Sequence, residues 1–215
     1  MRYVVTMAVM FLCLESLFAQ GKANANLQVH EEDGGSVAVR TANGILNQDS
    51  SLKRKWYVID DLNSPVQLDH AGVFPRLDDK ENVQYLAPVG VASPRRSISA
   101  LEVRYLLFDV WGDRLRTLAV TRLTDSSTHI DLRGSDRWPA FDWEVSRLVV
   151  VVAFVARVRT AEGQIWTFDA DRILPQIEAL GLNVAPEDLA PDERRLPNLG
   201  LVYWMMLHNR RTQPQ

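Results

Sequence analysis

The sequence predicts an all-β fold, an antiparallel β-sandwich, and three observations carry that expectation. Within the strand from Leu148 to Arg159, Val149-Val150-Val151-Val152 has no polar face, as a central strand covered on both sides requires, and Arg157 and Arg159 mark where it emerges into solvent. Ile98 to Val110 alternates with a period of two. Leu101, Val103, Tyr105 and Leu107 share one face, and Glu102, Arg104, Leu106 and Phe108 share the other. Turn signals separate such runs at short intervals, with almost no helical period among them.

The remaining strands follow from composition and punctuation. Trp56-Tyr57-Val58-Ile59 is rich in β-formers and ends at Asp60-Asp61-Leu62-Asn63-Ser64-Pro65, which reads as a turn into Val66 to Leu68. Val83 to Val91 suits a strand, with Pro88 placing part of it at an edge. Trp111-Gly112-Asp113-Arg114 reads as a hairpin turn into Leu115 to Leu123. A weak strand follows near His129 to Leu132, and Ala161-Glu162-Gly163 turns the chain back into Ile165 to Phe168. Strands at this spacing fit an immunoglobulin-like sandwich with a short C-terminal helix and an apolar C-terminal tail. The helix rests on Ile173, Leu174, Ile177 and Leu180 at helical spacing, with Asp171 as its cap and Gly181 as its stop. Pro186 to Pro197 is a charged connector. The apolar run Leu199 to Leu207, closed by Arg210-Arg211, is too short to span a bilayer.

Ahead of the sandwich the chain changes character. Arg2 followed by the apolar run Val4 to Leu14, then by a stretch ending in small residues, has the layout of a secretory signal peptide. Cleavage after Ala19 fits that layout, and Ala23-Asn24-Ala25 is the better Ala-x-Ala match. Residues 26–54 are polar and read as a linker, with Val37-Ala38-Val39-Arg40 as a short strand. The expected organisation is therefore a signal at 1–25, a linker at 26–54, a sandwich at 55–170, and helix, connector and tail at 171–215. The expected compartment is periplasmic or secreted.

Charge and cysteine content exclude several functions. The formal net charge is −3 and the Lys and Arg residues are scattered, so no basic face offers itself to nucleic acid. The single cysteine, Cys13, lies in the signal, which leaves the mature chain without disulfides, thiol catalysis or thiolate metal sites.

A stretch of the chain resembles a family of small exported bacterial proteins with no assigned activity. The resemblance rests on Ile59-Asp60-Asp61 with Ser64-Pro65-Val66-Gln67-Leu68, on Ser99 to Arg104 running into Phe108-Asp109-Val110-Trp111-Gly112, and on Val155 to Thr160 before Gly163. More loosely it is similar to FxLYD-type sandwich domains. It spans Trp56 to Asp171, about half of the chain, and implies fold and compartment only. The apolar C-terminal run departs from the family pattern.

Few residues invite chemistry. His30, His70, His129 and His208 form no helical His-x-x-x-His pair, and no Gly-x-Ser-x-Gly turn is present. Asp60, Asp61, Asn63, Asp69, Asp78 and Asp79 are the best calcium candidates, but their spacing fits no EF-hand and reads as turn chemistry. No catalytic residue, metal or cofactor is therefore expected. The loop Trp138-Pro139-Ala140-Phe141-Asp142-Trp143 either caps one end of the sandwich or displays Trp138, Phe141 and Trp143 to a partner or a sugar ring. Trp56, Trp111 and Trp166 are expected in the core or at its margins. Tyr203, Trp204, Met205 and Met206 in the tail suit an adaptable contact, packing on their own sheet or on a partner's edge. The expected function is a non-enzymatic sandwich that binds a protein partner or itself. The alternatives are a carbohydrate-binding module using Trp138 and Trp143, and a hydrolase in which two or more of His70, His129, Asp142 and Glu144 converge.

Overall fold

A computed structural model describes residues 26–36, 39–41, 44–46, 53–77, 83–125, 128–133 and 137–192. Residues 1–25, read as a signal, and the apolar run with Tyr203, Trp204, Met205 and Met206 lie outside the described residues. In chain order the strands are β1 (Leu27–Ser36), β2 (Val39–Thr41), β3 (Gly44–Leu46), β4 (Lys53–Asp61), β5 (Val66–Leu77) and β6 (Val83–Pro94). They continue with β7 (Ile98–Phe108), β8 (Arg114–Leu123) and the short β9 (Ile130–Asp131) and β10 (Trp138–Pro139). A six-residue helix α1 (Asp142–Arg147) leads into β11 (Val150–Thr160) and β12 (Ile165–Thr167), and helix α2 (Ala170–Ala179) and a 3₁₀ turn (Pro186–Leu189) follow.

The strands form two main sheets. The larger runs β1-β4-β11-β7-β8, with β12 added to β11, and the smaller runs β10-β6-β5, with β9 added to β6. Pairing is antiparallel except between β4 and β11, which run parallel from Val150 opposite Lys55 to Phe154 opposite Ile59. Strands β2 and β3 make a separate hairpin. The architecture is all-β, with two facing sheets.

Two apolar layers explain why the central strands lack a polar face. Leu101, Val103, Tyr105 and Leu107 of β7 join Val151 and Ala153 of β11 in a core shared with Leu68, Val73 and Leu86 of the smaller sheet. On the opposite face Leu106 and Phe108 join Val152 and Phe154 beneath Ile173 and Ile177 of α2. Burying each Val, Leu, Ile or Phe contributes about 1.5–3 kcal/mol, so both layers stabilise the same two strands. Tyr105 also donates its hydroxyl to the carbonyl of Val89 at 3.1 Å, a polar tie between the sheets. Glu102 and Arg104 of β7 are consumed at the rim of the helix-side layer. Buried Glu102 pairs with Arg104 and Arg157, while Arg104 donates to the Leu189 carbonyl and lies over the Phe168 ring.

Three local expectations are corrected. The first part of the segment read as linker, Leu27–Ser36, is a strand of the sandwich: β1 pairs with β4 from Leu27 opposite Asp61 to Ser36 opposite Lys53. Its polar composition is that of an edge strand, and Lys55 bonds Glu31 across the ladder. Trp111 is not at a core margin but 79% exposed on the β7–β8 turn, where Gly112 takes a φ of +80°. The cap of α2 is Asp169, whose carboxylate accepts from the Asp171 backbone N–H, rather than Asp171 itself. Pro88 lies inside β6, yet it sits between the stretch paired by β10 (Tyr85, Leu86) and the stretch paired by β9 (Val91, Ala92). Its missing N–H is tolerated in that gap.

Candidate functional site

The loop from Trp138 to Trp143 splits its aromatic residues between core and solvent. Trp138 pairs with Leu86 as part of β10 and is only 2% exposed in the inter-sheet core. Arg116 braces this position: its guanidinium lies 5.4 Å from the Trp138 ring centroid and donates to the Pro139 carbonyl at 2.7 Å and to Glu144. Trp138 is therefore unavailable as a contact for any ligand outside the core, a correction to the expectation that it forms part of one.

Phe141 and Trp143 point the other way. The short helix α1 turns Glu144 and Val145 inward, and Leu148, just beyond it, is likewise buried; Phe141 and Trp143 are left 65% and 57% exposed. Their rings stack nearly parallel, with 6.4 Å between centroids and 11° between planes. The C-terminal carbonyls of α1 are held by Arg54, which donates to Leu148 at 3.1 Å and to Val145 at 3.3 Å. A cation at that end of a helix is favourable, and burial lowers the pKa of this guanidinium.

One carboxylate joins this helix to the β7–β8 turn. Asp109 is 1% exposed and receives the guanidinium of Arg147, the Trp111 N–H at 2.9 Å and the Asp113 N–H at 3.1 Å. Burial alone would raise its pKa. The Arg147 guanidinium and the backbone donors of Asp113 and Trp111 outweigh that and hold the carboxyl below its ordinary value of 3.8. Exposed Val110 and Trp111 thus sit at the same end of the sandwich as Phe141 and Trp143, with their backbones fixed to a shared anchor. Sequence reasoning missed Trp111 and Asp109; the Phe-Asp-Val-Trp-Gly turn was the available signal.

The other candidate residues are already engaged. Asp60 pairs with Arg95, and Asp61 pairs with Arg172 while accepting the Asn63 N–H at 2.9 Å. That is turn and ion-pair chemistry, and Asp78 and Asp79 lie outside the described residues. Among the described residues no three His, Cys, Asp or Glu side chains gather as a metal site would require. His70 pairs with Glu32. His129 and Asp69 both meet Ser93: the hydroxyl lies 2.8 Å from Nδ1 of His129 and also bonds Asp69. Asp69 stands 3.9 Å from that same Nδ1 rather than on the far ring nitrogen, so it does not orient the imidazole toward the serine. Glu144 is tied to Arg116.

Among the described residues no helix is long and apolar enough to cross a membrane. Compared with protein-family models, curated proteins and solved structures, the chain finds no match in any of the three.

Proposed function

We propose that this chain is an exported, non-enzymatic sandwich, immunoglobulin-like in plan, that binds a protein partner or a second copy of itself through one end. The contact surface consists of Phe141 at the cap of α1, Trp143 on α1, and Val110 and Trp111 on the adjoining turn. The observation that carries this reading is the exposed aromatic stack on a braced helix. Large apolar side chains placed outward on rigid backbone cost little entropy to bind, and aromatic anchors dominate protein interfaces. The apolar run at residues 199–207, with Tyr203, Trp204, Met205 and Met206, is the second contact element of the proposal. The immunoglobulin-like plan is supported by the parallel pairing of β4 with β11 and by chain crossings between sheets; the consecutive β5–β6 hairpin within one sheet departs from it. The non-enzymatic reading is supported by the Ser93 hydroxyl, which bonds Asp69 with no relay through His129.

The test is chemical crosslinking in the periplasm and recovery of the tagged protein, comparing the wild type, a Trp111→Ala/Phe141→Ala/Trp143→Ala variant and a chain lacking residues 199–215. Recovery of one defined protein by the wild type, lost in the triple variant, supports the proposal. Identical recovery from all three removes it.

A second reading draws on the same stack. A near-parallel aromatic pair with an open outer face can also receive a sugar ring, with Trp143 in place of the buried Trp138. It predicts a glycan-dependent change in tryptophan fluorescence that Trp143→Ala abolishes, and no change with any glycan in the wild type counts against it.

A further inference from the structure

On the edge of β6 away from β5, no described strand pairs with the stretch between the β10-paired and β9-paired residues. A cavity of about 300 Å³ opens there, floored by Pro88 and its neighbours and lined by Tyr85 and three arginines, Arg76, Arg133 and Arg137. The arginines come from three places in the chain: Arg76 from β5 directly across from Tyr85, Arg133 just after β9, and Arg137 just before β10. Arg133 is paired with Asp131, whereas Arg76 and Arg137 keep donors that an anion can use.

We propose that this cavity binds the phosphate or sulfate group of an anionic ligand. Only one carboxylate compensates the three guanidiniums among the described residues. Asp131 accepts from Arg133 through Nε at 2.9 and 3.0 Å and through the terminal nitrogen at 2.7 Å. Arg137 has no carboxylate partner there; its guanidinium lies over the Tyr85 ring, 5.1 Å from the centroid. Arg76 is exposed and likewise has none. The site is braced as well as charged. Arg122 donates to the carbonyls of Asp131, Leu132 and Arg133, which fixes the backbone that carries Arg133. The Tyr85 ring orients Arg137, and ring and guanidinium together leave the planar fork of N–H donors free to engage oxyanion oxygens. The cavity has room for a phosphate and for part of a larger molecule that carries one. The local charge also runs against the net charge of −3 of the whole chain, so it does not arise from a generally basic surface.

This inference is independent of the aromatic end. Its test is a titration of the purified protein at constant ionic strength, read by the side-chain N–H resonances of arginine. The probes are inorganic phosphate, glucose 6-phosphate and phosphatidylglycerol vesicles. The proposal expects saturable shifts of the Arg76, Arg133 and Arg137 resonances with phosphate. Arg133→Gln and Arg137→Gln should each weaken binding roughly 10- to 100-fold, as loss of one charged hydrogen-bonding group does. Arg159→Gln, an exposed arginine at the far end of β11, should leave binding unchanged. Tighter binding of the sugar phosphate identifies a soluble ligand, and tighter binding of the vesicles identifies a lipid headgroup. The proposal is overturned if none of the three probes saturates. It is equally overturned if Arg137→Gln binds phosphate as the wild type does while its circular dichroism and thermal midpoint are unchanged.

Discussion

Arg147, at the end of the α1 helix, donates its guanidinium to the buried carboxylate of Asp109 in the β7–β8 turn. The same carboxylate receives the Trp111 and Asp113 N–H groups, so it holds two exposed aromatic elements at one end of the sandwich. Replacing Asp109 by Asn leaves an amide where three donors converge and should cost about 1–3 kcal/mol in urea unfolding. Arg147→Gln should cost less, about 1 kcal/mol, because that guanidinium is half-exposed and screened. The pH dependence has a definite sign. A carboxyl whose folded pKa is lowered contributes stability above its unfolded value, here 3.8, and loses it as pH falls through the folded value. The difference in urea midpoint between wild type and Asp109→Asn should therefore be full at pH 7 and shrink below pH 4. An equal difference at pH 7 and pH 2 would show that the charge contributes nothing.

Trp56 fills the space that a side chain at position 72 would need. A Cβ built on Gly72 would stand 2.6 Å from Cδ2 of the Trp56 ring. That ring is itself fixed by edge-on contact with Phe74, centroid to centroid 4.8 Å, and by His70 at 6.0 Å. Gly72→Ala should destabilise the fold by about 1–3 kcal/mol through overpacking, read as a lower urea midpoint at unchanged slope. A neutral result would mean that the indole moves aside without cost.

The two tryptophans of the aromatic loop should respond oppositely. Trp138→Ala empties a position in the inter-sheet core and should cost about 3–5 kcal/mol. Trp143→Ala removes an exposed ring and should change stability by no more than about 0.5 kcal/mol. Thermal unfolding of the pair separates a residue that holds the fold from one that is free to bind.

Tyr105 tests the tie between the sheets. Tyr105→Phe keeps the ring in the core and deletes the hydroxyl bonded to the Val89 carbonyl, with an expected cost of about 1 kcal/mol. Hydrogen exchange should show the loss at β6 and β7 rather than at α2.

The central strands were legible in the sequence because burial on two faces leaves a simple pattern. The two faces of β7 and the apolar run of β11 were assigned from alternation alone, and each face meets the layer that alternation implies. Strand β1 was not legible, because an edge strand is stabilised by cross-strand pairs such as Glu31 with Lys55 and carries no apolar period. Trp111 was misplaced because hydrophobicity argues for burial, whereas its position is set by a turn closed on Asp109. Within Trp138 to Trp143 the direction of each ring depends on the start of α1, a one-turn helix whose cap residue, Phe141, makes no side-chain cap bond. The arginine-lined cavity was invisible for a different reason: its three arginines meet only through strand order.

The central claim is that the end carrying Trp111, Phe141 and Trp143 is a binding surface. Site-specific photo-crosslinking in cells addresses it most directly, with a benzophenone side chain placed in turn at positions 111 and 143 and, as a control, at exposed Ile165 on β12, beside the far end of β11. The account predicts one discrete adduct, to a single partner or to a second copy of the chain, at both 111 and 143 and none at 165. No adduct at either aromatic position, or the same adduct at all three, would contradict it.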